Sequence, residues 1–115
     1  TWETDPLGNN FGAGGLFLTL SELHKFGLFY LNKGSWNEKQ ILSEKWIEES
    51  TSASDTDDYG YLFWRGEHNS FRADGKYSQI TMVLPEKNAV VSLVAECRKG
   101  EELMRALYDL VCAKI

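Results

Sequence analysis

An α+β fold is predicted for this chain by three features of its sequence. Two capped helical segments fill the first half, strand-like alternation takes over after residue 59, and an amphipathic helical segment closes the chain. The expected layout is an antiparallel sheet of about three strands, with a C-terminal helix on one face and two N-terminal helices.

Residues 1–15 are rich in Gly and Asn and end in Gly12-Ala13-Gly14-Gly15, which reads as an irregular approach loop. Thr19 and Glu22 have the spacing of a capping box, and Leu18 precedes the cap in position to staple onto Leu23. Leu20, Leu23, Phe26 and Tyr30 then recur at helical spacing until Gly34 supplies a stop. Apolar residues surround much of this helix, so it needs cover on more than one side. Trp36 to Ile41 suits a small hairpin or tight loop around Asn37-Glu38-Lys39, and Ser43 caps a second helix to about Ser50 with Trp46 and Ile47 as its buried side. The polar connector from Ser50 to Asp58 holds three aspartates that raise the idea of a calcium loop. It lacks the Gly and terminal Glu of an EF-hand, so a solvated loop is expected.

The extended segments are Tyr59 to Arg65, Phe71 to Ala73, Tyr77 to Leu84 and Ala89 to Glu96, with a turn at Pro85-Glu86-Lys87-Asn88. Tyr59–Arg65, Tyr77–Leu84 and Ala89–Glu96 are expected to form an antiparallel meander. Ile80, Met82 and Leu84 alternate with Thr81 and Val83, giving one strongly apolar face and one mixed face. The final helix, Gly100 to Ile115, aligns Leu103, Leu107, Leu110 and Val111 on one side, with Leu103 and Leu107 expected to be buried against the sheet. Glu101 and Glu102 occupy its first turn, where the helix dipole favours them.

At 115 residues the chain is one domain at most, residues 1–115. A net charge of −5 with its 12 Lys and Arg scattered excludes the basic stripe that nonspecific nucleic-acid binding requires. No apolar run reaches the roughly 18 residues of a membrane span. The start, Thr1-Trp2-Glu3-Thr4-Asp5, has no initiator Met and no signal-peptide pattern, and reads as the middle of a longer protein. The compartment, cytoplasmic or exported, is therefore left open. Cys97 and Cys112 read as buried thiols rather than a disulfide scaffold, and neither has a His nearby in sequence to activate it as a nucleophile. His24 reads as a helix-surface residue and His68 as a loop residue. G-x-S-x-G, phosphate-loop, H-E-x-x-H and CxxC patterns do not occur.

The informative stretch is Gly12-Ala13-Gly14-Gly15-Leu16-Phe17-Leu18-Thr19-Leu20-Ser21-Glu22-Leu23, followed by Lys25-Phe26-Gly27 and Tyr30-Leu31-Asn32-Lys33-Gly34. Tyr59-Gly60-Tyr61-Leu62-Phe63-Trp64, Ala73-Asp74-Gly75-Lys76-Tyr77-Ser78-Gln79 and Val83-Leu84-Pro85-Glu86-Lys87-Asn88-Ala89-Val90-Val91 continue the series. In this order they resemble the serine β-lactamase-related family: class C β-lactamases, D-Ala-D-Ala carboxypeptidases, related esterases and 6-aminohexanoate-dimer hydrolases. The resemblance runs over roughly residues 1–96. It implies the C-terminal portion of a β-lactamase/transpeptidase-like fold.

That family uses three motifs. In S-x-x-K one helical turn brings a Lys amine beside the Ser it activates. No Ser of this chain has Lys three residues later. In Y-x-N the letters match Tyr30-Leu31-Asn32, but this match follows the glycine-rich segment that the family's motif precedes, so Tyr30 is read as a packing residue. The K-T-G or H-x-G position is taken by Ala73-Asp74-Gly75, without the basic first residue. By resemblance, the backbone N–H of Lys76 is the candidate oxyanion donor, and Ala73, Asp74, Gly75 and Gln79 are candidate substrate-binding residues. Gly75 either admits a close substrate backbone or marks a strand bend or bulge.

The resemblance thus implies part of a bacterial serine hydrolase that acylates on Ser, acts on a small-molecule ester, amide or lactam or on a peptide, and uses no metal or organic cofactor. The Ala-Asp-Gly and Gln79 pattern leans towards the esterase or amidohydrolase branch. Without the nucleophile segment the chain is expected to be inactive alone. The competing class is a non-catalytic module that binds peptide or cell-wall fragments, with Trp2, Tyr59, Tyr61, Phe63 and Trp64 as surface or, alternatively, as core. An open sheet edge and an apolar first helix also lead to the expectation of a homodimer.

Overall fold

The computed structural model describes residues 1–12, 14–54 and 58–115. Its elements are α1 (Leu20–Leu31), β1 (Ser35–Trp36), β2 (Lys39–Gln40), α2 (Glu44–Thr51), β3 (Trp64–Arg65), β4 (Phe71–Gly75), β5 (Gln79–Leu84), β6 (Ala89–Leu93) and α3 (Gly100–Leu110). β1 and β2 form a two-stranded hairpin, and β3-β4-β5-β6 form an antiparallel sheet in that order. This is the predicted α+β class.

Helix α1 starts where the capping box places it. The Glu22 amide donates to Thr19 Oγ1 at 3.3 Å, and the Thr19 amide donates back to Glu22 Oε2 at 2.7 Å. It stops in a Schellman arrangement: the Gly34 amide bonds Phe29 O and the Lys33 amide bonds Tyr30 O, both at 3.0 Å. Lys33 and Gly34 take left-handed φ values of 51° and 82°. A Cβ on Gly34 would also lie 2.4 Å from Leu42 O, so the residue that ends the helix must be glycine. Ser43 caps α2 through the Trp46 amide at 3.1 Å. Of its two expected core residues only Ile47 is buried; Trp46 is exposed, its ring tilted against Tyr61 with centroids 5.7 Å apart.

The sheet departs from the expected three-strand meander. Phe71–Gly75 is a full strand inserted between the Trp64–Arg65 segment and β5, pairing with β5 from Phe71↔Val83 to Gly75↔Gln79. The Tyr59–Arg65 strand shrinks to Trp64–Arg65 with one bridge from Tyr59 to Trp64. Leu62 has a φ of 70°, and the Tyr61 amide bonds Ser50 O at the end of α2, so this stretch is pinned to a helix instead of a neighbouring strand. The Ala89–Glu96 strand ends at Leu93. The approach loop is more ordered than expected: Trp2 bridges Leu16, Thr4 bridges Asn10, and the Trp2 indole donates to Phe11 O at 2.9 Å.

Strand β5 is the middle of the molecule. Ile80 to Leu84 are all buried, so the face expected to be mixed is covered as well. Ile80, Met82 and Leu84 pack with Leu107, Tyr108 and Cys112 on the α3 side. Val83 packs with Tyr30, Ile47, Phe63 and Phe71 on the α1 side. The core stripe of α3 is Met104, Leu107 and Tyr108; Leu103 is only half-buried and Leu110 is exposed. The helix itself stops at Leu110, and Cys112–Lys114 form a short 3-10 turn that tucks Cys112 under the sheet.

Replacing Leu107 by Ala is expected to cost about 2–5 kcal/mol, the range for emptying a packed aliphatic site. Urea unfolding of wild type and variant measures it. A loss below about half a kcal/mol is incompatible with Leu107 anchoring α3.

Candidate active site

Strand β4 carries the residues singled out in the sequence. On its outer side β3 pairs only with Phe71 and Arg72. Ala73, Asp74 and Gly75 therefore have no outer strand partner among the described residues. The inner ladder with β5 continues unbroken to Gly75↔Gln79. Gly75 thus ends a regular strand; it marks no bulge.

Alternation along β4 divides the candidate residues between the two faces of the sheet. Phe71 pairs with Val83 in the α1-side core, so Ala73 and Gly75, and Gln79 opposite Gly75, belong to that face. Asp74 pairs with Ile80 of the α3-side core and lies on the other face, where its carboxylate accepts from Arg72 Nε at 3.0 Å. The Gln79 amide is also engaged, donating to Ala95 O. Lys76 begins the turn after Gly75, with its ammonium 4.9 Å from the centre of the Tyr77 ring. A cation thus follows Ala73 three residues on, held against an aromatic ring.

The turn is tied to a distant segment. Ser78 donates its amide to Gly75 O at 3.1 Å, and Tyr77 and Ser78 both take left-handed φ values, 63° and 72°. Tyr77 O accepts from the Cys97 amide at 3.1 Å, and Ser78 Oγ donates to Cys97 O at 3.4 Å. The Arg98 guanidinium lies 5.5 Å from the Tyr77 ring centre. These contacts hold the strand end rigidly between two shallow hollows. One of about 440 Å³ is lined by Gly75, Tyr77, Ser78, Cys97 and Arg98 among others. One of about 490 Å³ includes Trp64, Arg72, Asp74 and Lys76. Cys97 and Arg98 were not legible as site neighbours, because nothing in the sequence relates them to a turn some twenty residues earlier.

The groups expected to be inert are distributed as follows. Tyr30, the Y-x-N look-alike, is buried among Phe26, Phe63 and Phe71, with Phe63 nearest at 4.7 Å between centroids. Its burial pushes its hydroxyl above the ordinary tyrosine range, with a hydrogen bond to Ser50 acting in the opposite direction. His24 is not the surface residue expected: it is half-buried, and its Nδ1 lies 3.1 Å from Ser92 Oγ, which also contacts Thr81 Oγ1 at 2.8 Å. Among the described residues no carboxylate hydrogen-bonds His24, so this contact lacks the orienting acid of a catalytic triad. Among those residues, too, no three His, Cys, Asp or Glu side chains converge as metal ligands. Asp55 and Asp57 of the considered calcium loop lie outside the described residues. No helix is long and apolar enough to cross a membrane.

Three layers around a central strand, with a hairpin tip presented at the sheet edge, define the class: a portion of the β-lactamase-like fold. Among solved structures, the chain named "Putative 6-aminohexanoate-dimer hydrolase from Bacillus anthracis" shares this fold with a TM-score of 0.77 at 21% sequence identity. The match covers 93% of this chain and 31% of that one, so this chain spans about a third of the length of that protein. No protein-family model and no curated protein matches the sequence.

The two thiols provide a direct check on the site's accessibility. Cys97 lines the 440 Å³ hollow and is partly exposed, whereas Cys112 is fully buried and its burial raises its thiol above the ordinary range. In native buffer a chromogenic disulfide reagent is expected to modify Cys97 readily and Cys112 only after denaturant is added. Release of two equivalents at one rate from the folded chain would be inconsistent with this arrangement.

Proposed function

We propose that this chain is the C-terminal part of a bacterial serine hydrolase of the β-lactamase-related family, acting on an ester, amide or lactam through an acyl-enzyme. The observation that carries the proposal is the Ala73–Gln79 strand end. Its Ala73–Gly75 stretch has no outer strand partner among the described residues, in a fold matched over 93% of the chain to a protein named as a hydrolase. A backbone N–H at such an edge is fixed before any reaction begins, so it faces developing negative charge with little reorganisation. In this reading the Lys76 amide is one donor to the oxyanion, and Gly75 admits the substrate backbone. The Lys76 side chain has a different task, contributing positive charge near the hairpin tip. No metal or organic cofactor takes part.

The nucleophile and general base of such an enzyme lie outside residues 1–115, since no S-x-x-K occurs here. The isolated chain is therefore inactive, and its role is to form one wall of the pocket. A non-catalytic module that binds peptide or cell-wall fragments is the second reading. The exposed Tyr61 and Trp64, each beside another aromatic ring, favour it, whereas Phe63 belongs to the core.

The test uses the protein encoded by the full reading frame beside the isolated chain. Turnover of a chromogenic ester or cephalosporin is expected only from the former, with a fluorophosphonate label on a serine preceding residue 1. Lys76→Pro, which removes the amide proton, is expected to lower kcat about 10²–10³-fold, while Lys76→Ala retains most of it. Hydrolysis by the isolated chain that disappears on mutating one of its own serines overturns the proposal. A full-length protein without S-x-x-K and without label establishes the binding-module reading instead.

A further inference from the structure

The turn between β4 and β5 carries its backbone strain on residues other than its glycine. Gly75 and Lys76 keep ordinary φ values, whereas Tyr77 and Ser78 are left-handed in succession, at 63° and 72°. The Ser78 amide closes the turn on Gly75 O at 3.1 Å. A left-handed third residue in such a turn is the type II pattern, which normally takes Gly or Asn there. Residues with a Cβ stay in this conformation only where their surroundings over-determine it. Here the surroundings do so. The Cys97 amide donates to Tyr77 O at 3.1 Å, and Ser78 Oγ donates to Cys97 O at 3.4 Å, 19 residues along the chain. The Lys76 ammonium and the Arg98 guanidinium lie 4.9 Å and 5.5 Å from the centre of the Tyr77 ring. Ser78 is only 5% exposed, although it belongs to a hairpin tip.

We infer that Ser78 is the positioning residue of the Lys76 oxyanion donor, a role that rests on the hydrolase reading proposed above. A trans peptide group is planar, and its C=O and N–H point in opposite directions. The Gly75 carbonyl and the Lys76 N–H belong to one such group. Because the Ser78 amide draws the Gly75 carbonyl into the turn, the Lys76 N–H is directed out of it. That N–H has no acceptor among the described residues. The bond to the carbonyl also polarises the peptide, which strengthens the donor at its other end. If Ser78 relaxes, the carbonyl is released and the whole peptide plane turns with it. Ser78 touches no reacting atom; it acts through Gly75. Its left-handed backbone, locked by the hydroxyl bond to Cys97 O, holds the turn closed where a glycine would leave it free to open.

The test uses the protein encoded by the full reading frame, with a chromogenic ester as substrate. Ser78→Gly accepts a left-handed φ without strain and lacks the hydroxyl tie, so the fold is retained while the tip loosens. Its kcat is expected to fall about tenfold with KM within about twofold of wild type, and its melting temperature to stay within about 3 °C. A residue that only supports the fold would lower the melting temperature and leave kcat per folded molecule unchanged. Ser78→Ala, which removes the hydroxyl alone, is expected to lose about threefold in kcat, again without a change in KM. Hydrogen exchange of the residue-78 amide, corrected for side-chain identity, is expected to rise about tenfold in Ser78→Gly. Wild-type kcat in both variants overturns the inference, as does a rate loss that matches the loss of folded protein, or unchanged exchange at residue 78. Absence of turnover by the wild-type protein defeats the hydrolase reading instead, and the exchange measurement then decides alone whether Ser78 holds the tip.

Discussion

The contact on which the molecule depends is the seating of α1 on the sheet at Gly27. A Cβ built there would come within 2.5 Å of Thr81 Oγ1 and 2.6 Å of Val90 Cγ1. Both neighbours are short and β-branched, and neither side chain can swing away. Glycine lets the helix axis approach close enough for Tyr30 to reach Phe63, Phe71 and Val83 across the same face. It also brings His24 to Ser92, one helical turn earlier, so a polar link lies at the end of the seam where Leu20 leaves it open. The cost of glycine in a helix interior is about 1 kcal/mol, small against the aromatic core that this approach makes possible.

With α1 seated on one face and α3 on the other, β5 is buried from Ile80 to Leu84 and the sheet becomes a rigid partition between two apolar clusters. That rigidity gives the hairpin tip at Gly75–Gln79 its meaning. Its position is fixed from below by the ladder and from the side by the Tyr77–Cys97 and Ser78–Cys97 bonds. A preorganised amide needs such a frame, because an oxyanion donor that must first reorient loses much of its advantage. The side chains around it are largely committed elsewhere: Asp74 to Arg72, Gln79 to Ala95 and Lys76 to the Tyr77 ring. Any chemistry placed here therefore falls to the backbone.

The unpaired end of β4 and the edge strand β6 differ in character. The β4 edge is short, carries an ion pair and ends in a tied turn, whereas the β6 edge is regular, uncharged and bordered by exposed apolar side chains.

The sequence by itself determined the elements whose causes are local. The Thr19–Glu22 box, the Ser43 cap, the glycine stop at Gly34 and the Pro85–Asn88 turn lie where their residues indicate, because each is decided by contacts within a few positions. The α+β class was legible because the helical and strand periods that indicate it are themselves local. What tertiary structure decided was every feature set by contacts distant in the chain. Phe71–Gly75 became a central strand because β5 offered it a ladder, and Tyr59–Phe63 lost its strand to the end of α2. The core stripe of α3 settled on Met104, Leu107 and Tyr108 because those side chains meet Ile80, Met82 and Leu84. The candidate residues Ala73, Asp74, Gly75 and Gln79 are near one another in sequence, but the period of a strand sends Asp74 to the opposite face from the others. Cys97 and Arg98 joined the site, and His24 left the surface, through pairings 19 to 68 residues apart, a range over which local pattern carries no information.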